Sequence, residues 1–461
     1  MPQTIIQARN QIQEIFQAGI IAADPAQAIR QAMSIKAGRL FIDVDSEHKT
    51  ENRLQRSEPW SAVHVIAFGK AACAMTSAAN EIISTTLTMD TGIIVTNYEN
   101  VIQIDGFNVI GAGHPLPDNQ GMIAARQIAE HAQQAQAGEL VLVLISGGGS
   151  ALIPYPPKGI SLQDKIDTTS MLLNSGASIN EMNCVRKHLS ELKGGNLTKL
   201  AYPADIHALI LSDVIGDDLS SIASGPTVPD DTTFDDAVRI LQSRNLWQQL
   251  PDTICSHLLA GRNGNIDETP KPGNPIFDRS SYCLIGSNGR SVSAMQRIAQ
   301  QAGFDTVLYD TTLCGEAREE AVKLCTYAAQ KLTTISTPTA LVAGGETTVK
   351  IVGKGLGGRN QEFALAFALA ANQIGLAPRW IFLSGGTDGR DGPTDAAGAI
   401  VDSDTLSKII AAGGNAANYL DNNDSYHALK LANNLLITGA TGTNVADLQV
   451  LLLFPDDDRI H

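Results

Sequence analysis

Short runs of Val, Ile, Leu and Ala recur along the chain, each giving way to a Gly- or Asp-bearing turn and then a helical pattern. The clearest are Val63–Ala67, Gly92–Thr96, Leu140–Ile145 and Ala208–Leu211, followed by Tyr282–Ile285, Ala340–Val342, Trp380–Leu383 and Leu435–Thr438. A strand facing water on one side alternates apolar and polar residues; a continuous apolar run is covered on both faces, as in parallel sheets flanked by helices. The pattern predicts an α/β fold of α/β/α layers, with ligands at the carboxyl ends of the strands.

At 461 residues the chain exceeds one ordinary core, which predicts two domains. The polar, Pro- and Gly-bearing stretch Asn263–Arg279 lacks periodicity and reads as the linker, placing the domains at 1–262 and 280–461. Asp43–Ser57 reads as a charged surface loop. A hydrophobic share of 43%, a charged share of 18% and 41 glycines suit a packed enzyme with many tight turns and argue against disorder.

The formal net charge of −15 disfavours nucleic acid as a partner, because no basic block exists to release counterions. An anionic ligand would have to be held by a few local cations and backbone N–H groups. Cysteines at 73, 184, 255, 283, 314 and 325 show no Cys-x-x-Cys spacing, so neither a zinc site nor a disulfide framework is expected. Met1–Asn10 lacks a signal-type apolar core, and no apolar stretch approaches the roughly 20 residues of a membrane span. A cytoplasmic protein is the expectation.

Chemistry concentrates at the strand ends. Leu140–Ile145 runs into Ser146-Gly147-Gly148-Gly149-Ser150, where glycines let backbone N–H groups converge on an anion, although a turn demanded by packing alone has the same look. Downstream, Ser178 and Glu181 have the spacing of a capping box, predicting a helix from Ile179 that stops at Gly194-Gly195. On it Asn183, Arg186 and Lys187 share a face that could reach one anion or merely meet solvent. The strand through Leu211 delivers Asp213, Asp217 and Asp218 into a loop. Carboxylates there supply Mg²⁺ ligands or bases in phosphoryl transfer; Asp213 leads and one of the three could simply cap a turn.

In the C-terminal half, the glycines at 353, 355, 357 and 358 precede Arg359 at a helix start, a ready anion site unless Arg359 pairs with Glu362. Ser384–Asp395 is so dense in Gly, Asp and Thr that it is either a ligand loop or a rigid knot. Near the N-terminus, Lys70 follows the strand in Ala67-Phe68-Gly69-Lys70, well placed to neutralise phosphate. His114 opens another helix, with Asp118 as its N-cap. Neither G-x-G-x-x-G nor G-x-x-x-x-G-K-[ST] occurs at these turns, which argues against a nicotinamide fingerprint and a P-loop.

Eight segments, FGKAA, GHPLPDNQG, ISGGGSAL, NEMNCVRKHLSELKGG, SDVIGDDLSSIASGPT, GGETTV, GGRNQE and SGGTDGRDGPTDAAG, occur in order from residue 67 to 398. Together they resemble the class II glycerate 2-kinases, whose C-terminal part is called the MOFRL domain and some of which are labelled hydroxypyruvate reductases. The resemblance implies two α/β/α layered domains with mainly parallel sheets, a Rossmann-like N-terminal kinase domain and a MOFRL-type C-terminal domain, with an active-site cleft between them. It implies ATP and Mg²⁺ as cofactors and conversion of D-glycerate to 2-phosphoglycerate. Lys70 and Arg359 match the family's proposed catalytic pair, to which Asp213 is added. Ser146, Gly147, Gly148, Gly149, Ser150, Asn183, Arg186, Lys187, His114, Glu346, Asn360, Thr387, Asp388, Asp391 and Thr394 fall in cleft-lining motifs as binding residues, with Asp213 and Asp217 as metal ligands. Small-molecule partners follow, with neither nucleic acid nor membrane; a homodimer stays open. The rivals are an NAD(P)H-dependent hydroxypyruvate reductase and a non-catalytic sugar-acid sensor.

Overall fold

The computed structural model describes residues 5–45, 54–83, 88–89, 91–376 and 379–455. It divides into two compact units, Pro25–Ile285 and Met1–Asp24 joined with Gly286–His461.

In the first unit, the main sheet runs Ser280–Gly286, Asp205–Leu211, Leu140–Ile145, Ala62–Phe68, Gly92–Asn97, Phe107–Ala112, with the short strand Thr88–Met89 also paired to Ala62–Phe68. The pairings from Asp205–Leu211 to Phe107–Ala112 are parallel, with Val63 opposite Leu140 and Leu140 opposite Asp205. Every residue of Leu140–Ile145 and of Asp205–Leu211 is buried, which is why Leu140–Ile145 and Ala208–Leu211 read as unbroken apolar runs, whereas Asp205 and His207 are buried polar residues. One face packs Val143, Ile145 and Ile210 against Ala124, Ala125 and Ile128 of the helix Asn119–Gln134. Asp118 caps that helix, accepting from the Gly121 amide at 2.9 Å.

The capping box at Ser178 and Glu181 forms as expected. The helix ends earlier than expected, at His188; Gly194 and Gly195, both left-handed, instead lead into the next helix, Asn196–Ala201. The expected loop at Asp43–Ser57 is strand at both ends, since Arg39–Val44 pairs antiparallel with Leu54–Arg56; residues 46–53 lie outside the described residues.

The second unit carries a mixed sheet rather than a mainly parallel one. Its order is Asp305–Glu316, Thr339–Thr348, Asp447–Leu453, Trp380–Gly386, Gly398–Asp402, Leu435–Leu436, and only the first pair is parallel. The C-terminal strand slots between Thr339–Thr348 and Trp380–Gly386, making both of its pairings antiparallel. Helices Ala317–Leu332 and Arg359–Ile374 cover one face through Leu324, Phe363 and Phe367.

The other face is covered by Asn288–Gln301 and by the N-terminal helix Ile5–Ala22, whose Ile12, Ile15, Phe16 and Ile20 are buried with Val342, Leu383 and Val450. An ion pair from Arg9 to Asp402 and a 2.6 Å hydrogen bond from the Thr443 hydroxyl to the Ala23 carbonyl fix the helix there. The division at 1–262 and 280–461 is therefore amended: the first helix joins the second unit. Asn263–Arg279 stays with the first unit, where the Asp230 amide donates to Pro270 and the Thr269 hydroxyl to Asp230. A local polar composition marks a surface segment equally well whether or not it spans two cores.

Candidate functional site

The strand Ala62–Phe68 ends at Gly69, whose φ of +123° suits glycine and whose Cβ, if present, would lie 2.2 Å from Ser146 Oγ. Two strand ends can interlock because of that missing side chain. The Lys70 amide donates to the Gly147 carbonyl at 2.9 Å, the Ser146 amide to Phe68 at 3.1 Å, and the Ala71 amide to Ser146 Oγ at 3.0 Å. Lys70 is thereby fixed to the glycine turn. Among the described residues its ammonium makes no hydrogen bond or ion pair.

Two more groups close on the same turn. A Cβ on Gly147 would lie 2.2 Å from Asp213 Oδ2, and one on Gly148 would lie 3.0 Å from the His114 ring. Burial pushes the Asp213 carboxyl above its usual range, opposed by its own amide and by Lys70. His114 is held below its ordinary value by burial first and by Lys70 second, with Glu99 opposing. The lysine, aspartate and histidine are thus electrostatically linked around Gly147-Gly148, as the position of this turn beyond a parallel strand anticipates.

Beside the turn opens a cavity of about 430 Å³, lined by His114, Gly148, Ser150, Lys165, Arg186 and Lys193 together with apolar residues and the hydroxyls of Thr169 and Ser170. Lys165 and Lys193 were not singled out by sequence reasoning. Lys193 donates to the Ser150 carbonyl at 2.8 Å and to its hydroxyl. The Ser224 hydroxyl lies 3.2 Å from Ser150 Oγ and donates to Asn183 Oδ1 at 3.1 Å, so Ser150 and Asn183 belong to one buried chain. Within the described residues the Asn183 amide nitrogen is buried with no acceptor.

Lys187 does not join Arg186 at this cavity. It is buried in an ion pair with Asp230 at 3.2 Å and also donates to Ser220, so its charge is spent on the scaffold. Asp218 takes the turn-capping task, accepting from the Ser220 amide and the Ser221 hydroxyl at 3.0 and 2.6 Å. Asp217 holds a left-handed φ of +55° in the same turn.

In the second unit the Arg359 guanidinium grips Asp447 with two bonds, Nε to Oδ2 at 2.6 Å and Nη2 to Oδ1 at 2.9 Å, and reaches Glu346 at 2.8 Å. It does not pair with Glu362, which binds Arg318 and Asn423. The helix start that the sequence offered to an anion does hold one, but it belongs to the protein. Asp391 accepts from the Asn360 and Gln361 amides at 3.1 and 2.8 Å, in place of a side-chain cap from Gly358.

The Ser384–Asp395 loop is the knot of the two readings. Asn360 Oδ1 accepts from Ser384 at 2.6 Å, Thr387 bridges the Ala446 carbonyl and Val445 amide, and Thr394 links Gln361 to the Asp391 carbonyl. Asp388 accepts from the Arg390 amide. The side chains of Asn360, Thr387, Asp391 and Thr394 are therefore committed internally, whereas Arg359 remains about one-third exposed. Asp447, which sequence reasoning passed over, is the anchor of this group; it starts a plain apolar strand with no motif to flag it.

A glycine turn, a lysine unpaired among the described residues and a cavity lined by Lys165, Arg186 and Lys193 give this α/β protein a site whose charge suits small anionic molecules. Comparison with known proteins makes the class specific. A sequence profile described as a domain of unknown function, DUF4147, matches residues 11–259, and the MOFRL family profile matches residues 339–447. A glycerate 2-kinase of Pyrococcus horikoshii is 40% identical, with 94% of each chain covered. A crystal structure of glycerate kinase from Thermotoga maritima superposes with a TM-score of 0.83 at 37% identity, over 97% of this chain and 99% of that one. An Agrobacterium vitis relative named putative hydroxypyruvate reductase is 36% identical, over 97% of this chain and 95% of its own. The chain belongs to the class II glycerate kinase family.

Proposed function

We propose that this chain transfers the γ-phosphoryl group of ATP to the 2-hydroxyl of D-glycerate, giving 2-phosphoglycerate and ADP. The observation that carries the reading is Lys70, whose ammonium is unpaired among the described residues and whose backbone is fixed to the glycine turn that Asp213 also meets. As the hydroxyl oxygen bonds to the γ-phosphorus, the bond from that phosphorus to the β-bridging oxygen breaks and the hydroxyl proton must leave. There is little covalent work for the protein; positioning and charge stabilisation are its task. Lys70 neutralises developing phosphoryl charge, and the Gly147–Gly149 amides add preorganised donors. Arg359, held in one orientation by Asp447, is proposed as the second cation acting on that charge.

Mg²⁺ requires only one or two carboxylates plus phosphate oxygens, so the lack of a cluster of three or more His, Cys, Asp or Glu among the described residues does not conflict with it. Asp213 fits, since among the described residues its carboxylate accepts from its own amide and otherwise meets only the charge of Lys70, with Asp217 as the second candidate from the same loop. The ion would supply charge neutralisation at the phosphate oxygens. Asp213 could equally take the proton of the hydroxyl, a role that its raised proton affinity favours. The Asp213→Asn variant separates the two: loss of a ligand raises the Mg²⁺ needed for half-maximal rate, while loss of a base lowers the plateau.

No helix among the described residues is long and apolar enough to cross a membrane, and we place the enzyme in the cytoplasm. The deciding experiment incubates the protein with ATP, Mg²⁺ and D-glycerate, then with hydroxypyruvate and NADH. ADP release with a phosphorus resonance of 2-phosphoglycerate in the first mixture supports the kinase. NADH oxidation in the second alone overturns it.

A further inference from the structure

We propose that Lys165, Arg186 and Lys193 form an oxyanion-binding subsite beside the glycine turn. It takes an anionic group of a reactant, either the carboxylate of the hydroxy acid or a phosphate of the nucleotide. The proposal deepens the kinase reading and names residues on which that reading does not depend.

Charge without a counter-charge is the central observation. Elsewhere in this unit a buried cation has its acid, as Lys187 has Asp230. Lys165 and Lys193 are only 6% and 1% exposed, yet among the described residues neither forms an ion pair. Lys165 donates to the Leu189 carbonyl at 2.6 Å, and Lys193 donates only to Ser150. Arg186 makes no hydrogen bond or ion pair among the described residues. Glu191 is the acid that acts favourably on Lys165, and it is exposed.

An ammonium carries three N–H donors and a guanidinium five. Two donors of Lys165, one of Lys193 and all of Arg186 are left to serve a ligand in the 430 Å³ cavity that the three residues line. Burying like charges together is costly unless an anion joins them. Burial, then Lys165 and Arg186, lower the proton affinity of the Lys193 amine in the empty site, and an anion bound beside it would raise that affinity again. Pro115, Leu116, Ile166 and Leu173 line the rest of the wall together with the hydroxyl residues Thr169 and Ser170, which can add hydrogen bonds to a bound anion. His114 and Gly148 line the same cavity, so an anion seated there adjoins the Lys70 turn.

The test uses the full chain carrying Lys165→Met or Arg186→Gln, with calorimetric binding of D-glycerate and of ADP measured beside the steady-state KM for D-glycerate and ATP. The proposal expects a loss of at least about tenfold for one ligand, the scale of a charge-assisted contact. Weakening of D-glycerate alone assigns the carboxylate, and weakening of ADP alone assigns a phosphate; either result supports the subsite. Affinities within twofold of the parent for both ligands overturn it. Should Lys165→Met not fold, Arg186→Gln at its half-buried position reads the same subsite. Calorimetry needs no turnover, so a parent protein that binds D-glycerate without phosphorylating it would sink the kinase reading and leave the subsite standing.

Discussion

Arg359 and Asp447 meet fork to fork, with 2.6 Å between Nε and Oδ2 and 2.9 Å between Nη2 and Oδ1. Asp447 is wholly buried at the start of the strand Asp447–Leu453, so the backbone of the sheet sets the carboxylate and the carboxylate sets the guanidinium. Asp447→Asn keeps the shape but replaces an acceptor oxygen by an amide donor facing another donor. We expect a fall in kcat on the order of 10–10²-fold, because a misplaced catalytic group loses that much. Arg359→Ala should fall at least as far, and the double variant no further, because the two act as one unit. Additive losses in a double-mutant cycle would show that Asp447 acts independently of Arg359.

Asp391 is the internal anion of the helix Arg359–Ile374. Its removal in Asp391→Ala leaves the Asn360 and Gln361 amides without their acceptor and should cost about 1–2 kcal/mol, the usual value of a helix cap. Burial raises its carboxyl to about 6, against the two amides that lower it. The folded form therefore holds a proton that the unfolded chain releases near pH ~4. This contribution is complete below that pH and is lost as pH climbs through about 6. Urea midpoints of the parent should carry that decline, and those of Asp391→Ala should lack it.

Much of this was legible in the chain. The apolar runs became strands, apart from Leu435–Thr438, which is strand only at Leu435–Leu436 and leaves Ile437 exposed; the runs at Leu140–Ile145 and Trp380–Leu383 are buried throughout. The Ser178–Glu181 box and the Asp118 cap formed because their partners lie within three residues. What escaped is long-range. Nothing near Lys187 announces Asp230, 43 positions away, nor does anything near Arg359 announce Asp447, 88 positions away. Helical spacing put Arg186 and Lys187 on one face, yet one lines a cavity while the other is locked in an ion pair. The mixed order of the second sheet was equally hidden, since an apolar strand reads the same in either direction. Lys165 and Lys193 lay in ordinary helical and turn sequence, and only tertiary packing buries them together.

Lys165 has a consequence for stability as well as for binding. Burial, reinforced by Arg186 and opposed by Glu191, lowers its amine to about 7. Between that value and the ordinary lysine range near ~10.4 the unfolded chain binds a proton that the folded one lacks, so this group makes stability rise with pH. Its contribution is complete above the ordinary range and is lost as pH falls through about 7. Lys165→Met removes the titrating group while keeping an unbranched side chain. The melting temperature of the variant relative to the parent should be highest at pH 7 and decline steadily toward pH 10. A constant difference across that range would show that Lys165 stays charged in the folded protein.

Gly147 owes its identity to Asp213. The Cβ of an alanine would stand 2.2 Å from Oδ2, well inside any real contact, and 2.7 Å from Cγ. Since Gly147 also accepts the Lys70 amide at 2.9 Å, displacement of the carboxylate or of the turn shifts the aspartate against the lysine. Gly147→Ala should therefore lose about 10²-fold or more in kcat, comparable with the roughly 10²–10³-fold expected for Lys70→Ala. Its far-ultraviolet circular dichroism should match the parent, because the clash is with a side chain at a turn and both flanking strands remain paired. The companion variant Gly147→Ala/Asp213→Gly removes the clashing carboxylate and restores room for the new methyl. If the turn alone carried the defect, it would recover activity; if the placement of Asp213 matters, it stays as inactive as Asp213→Gly.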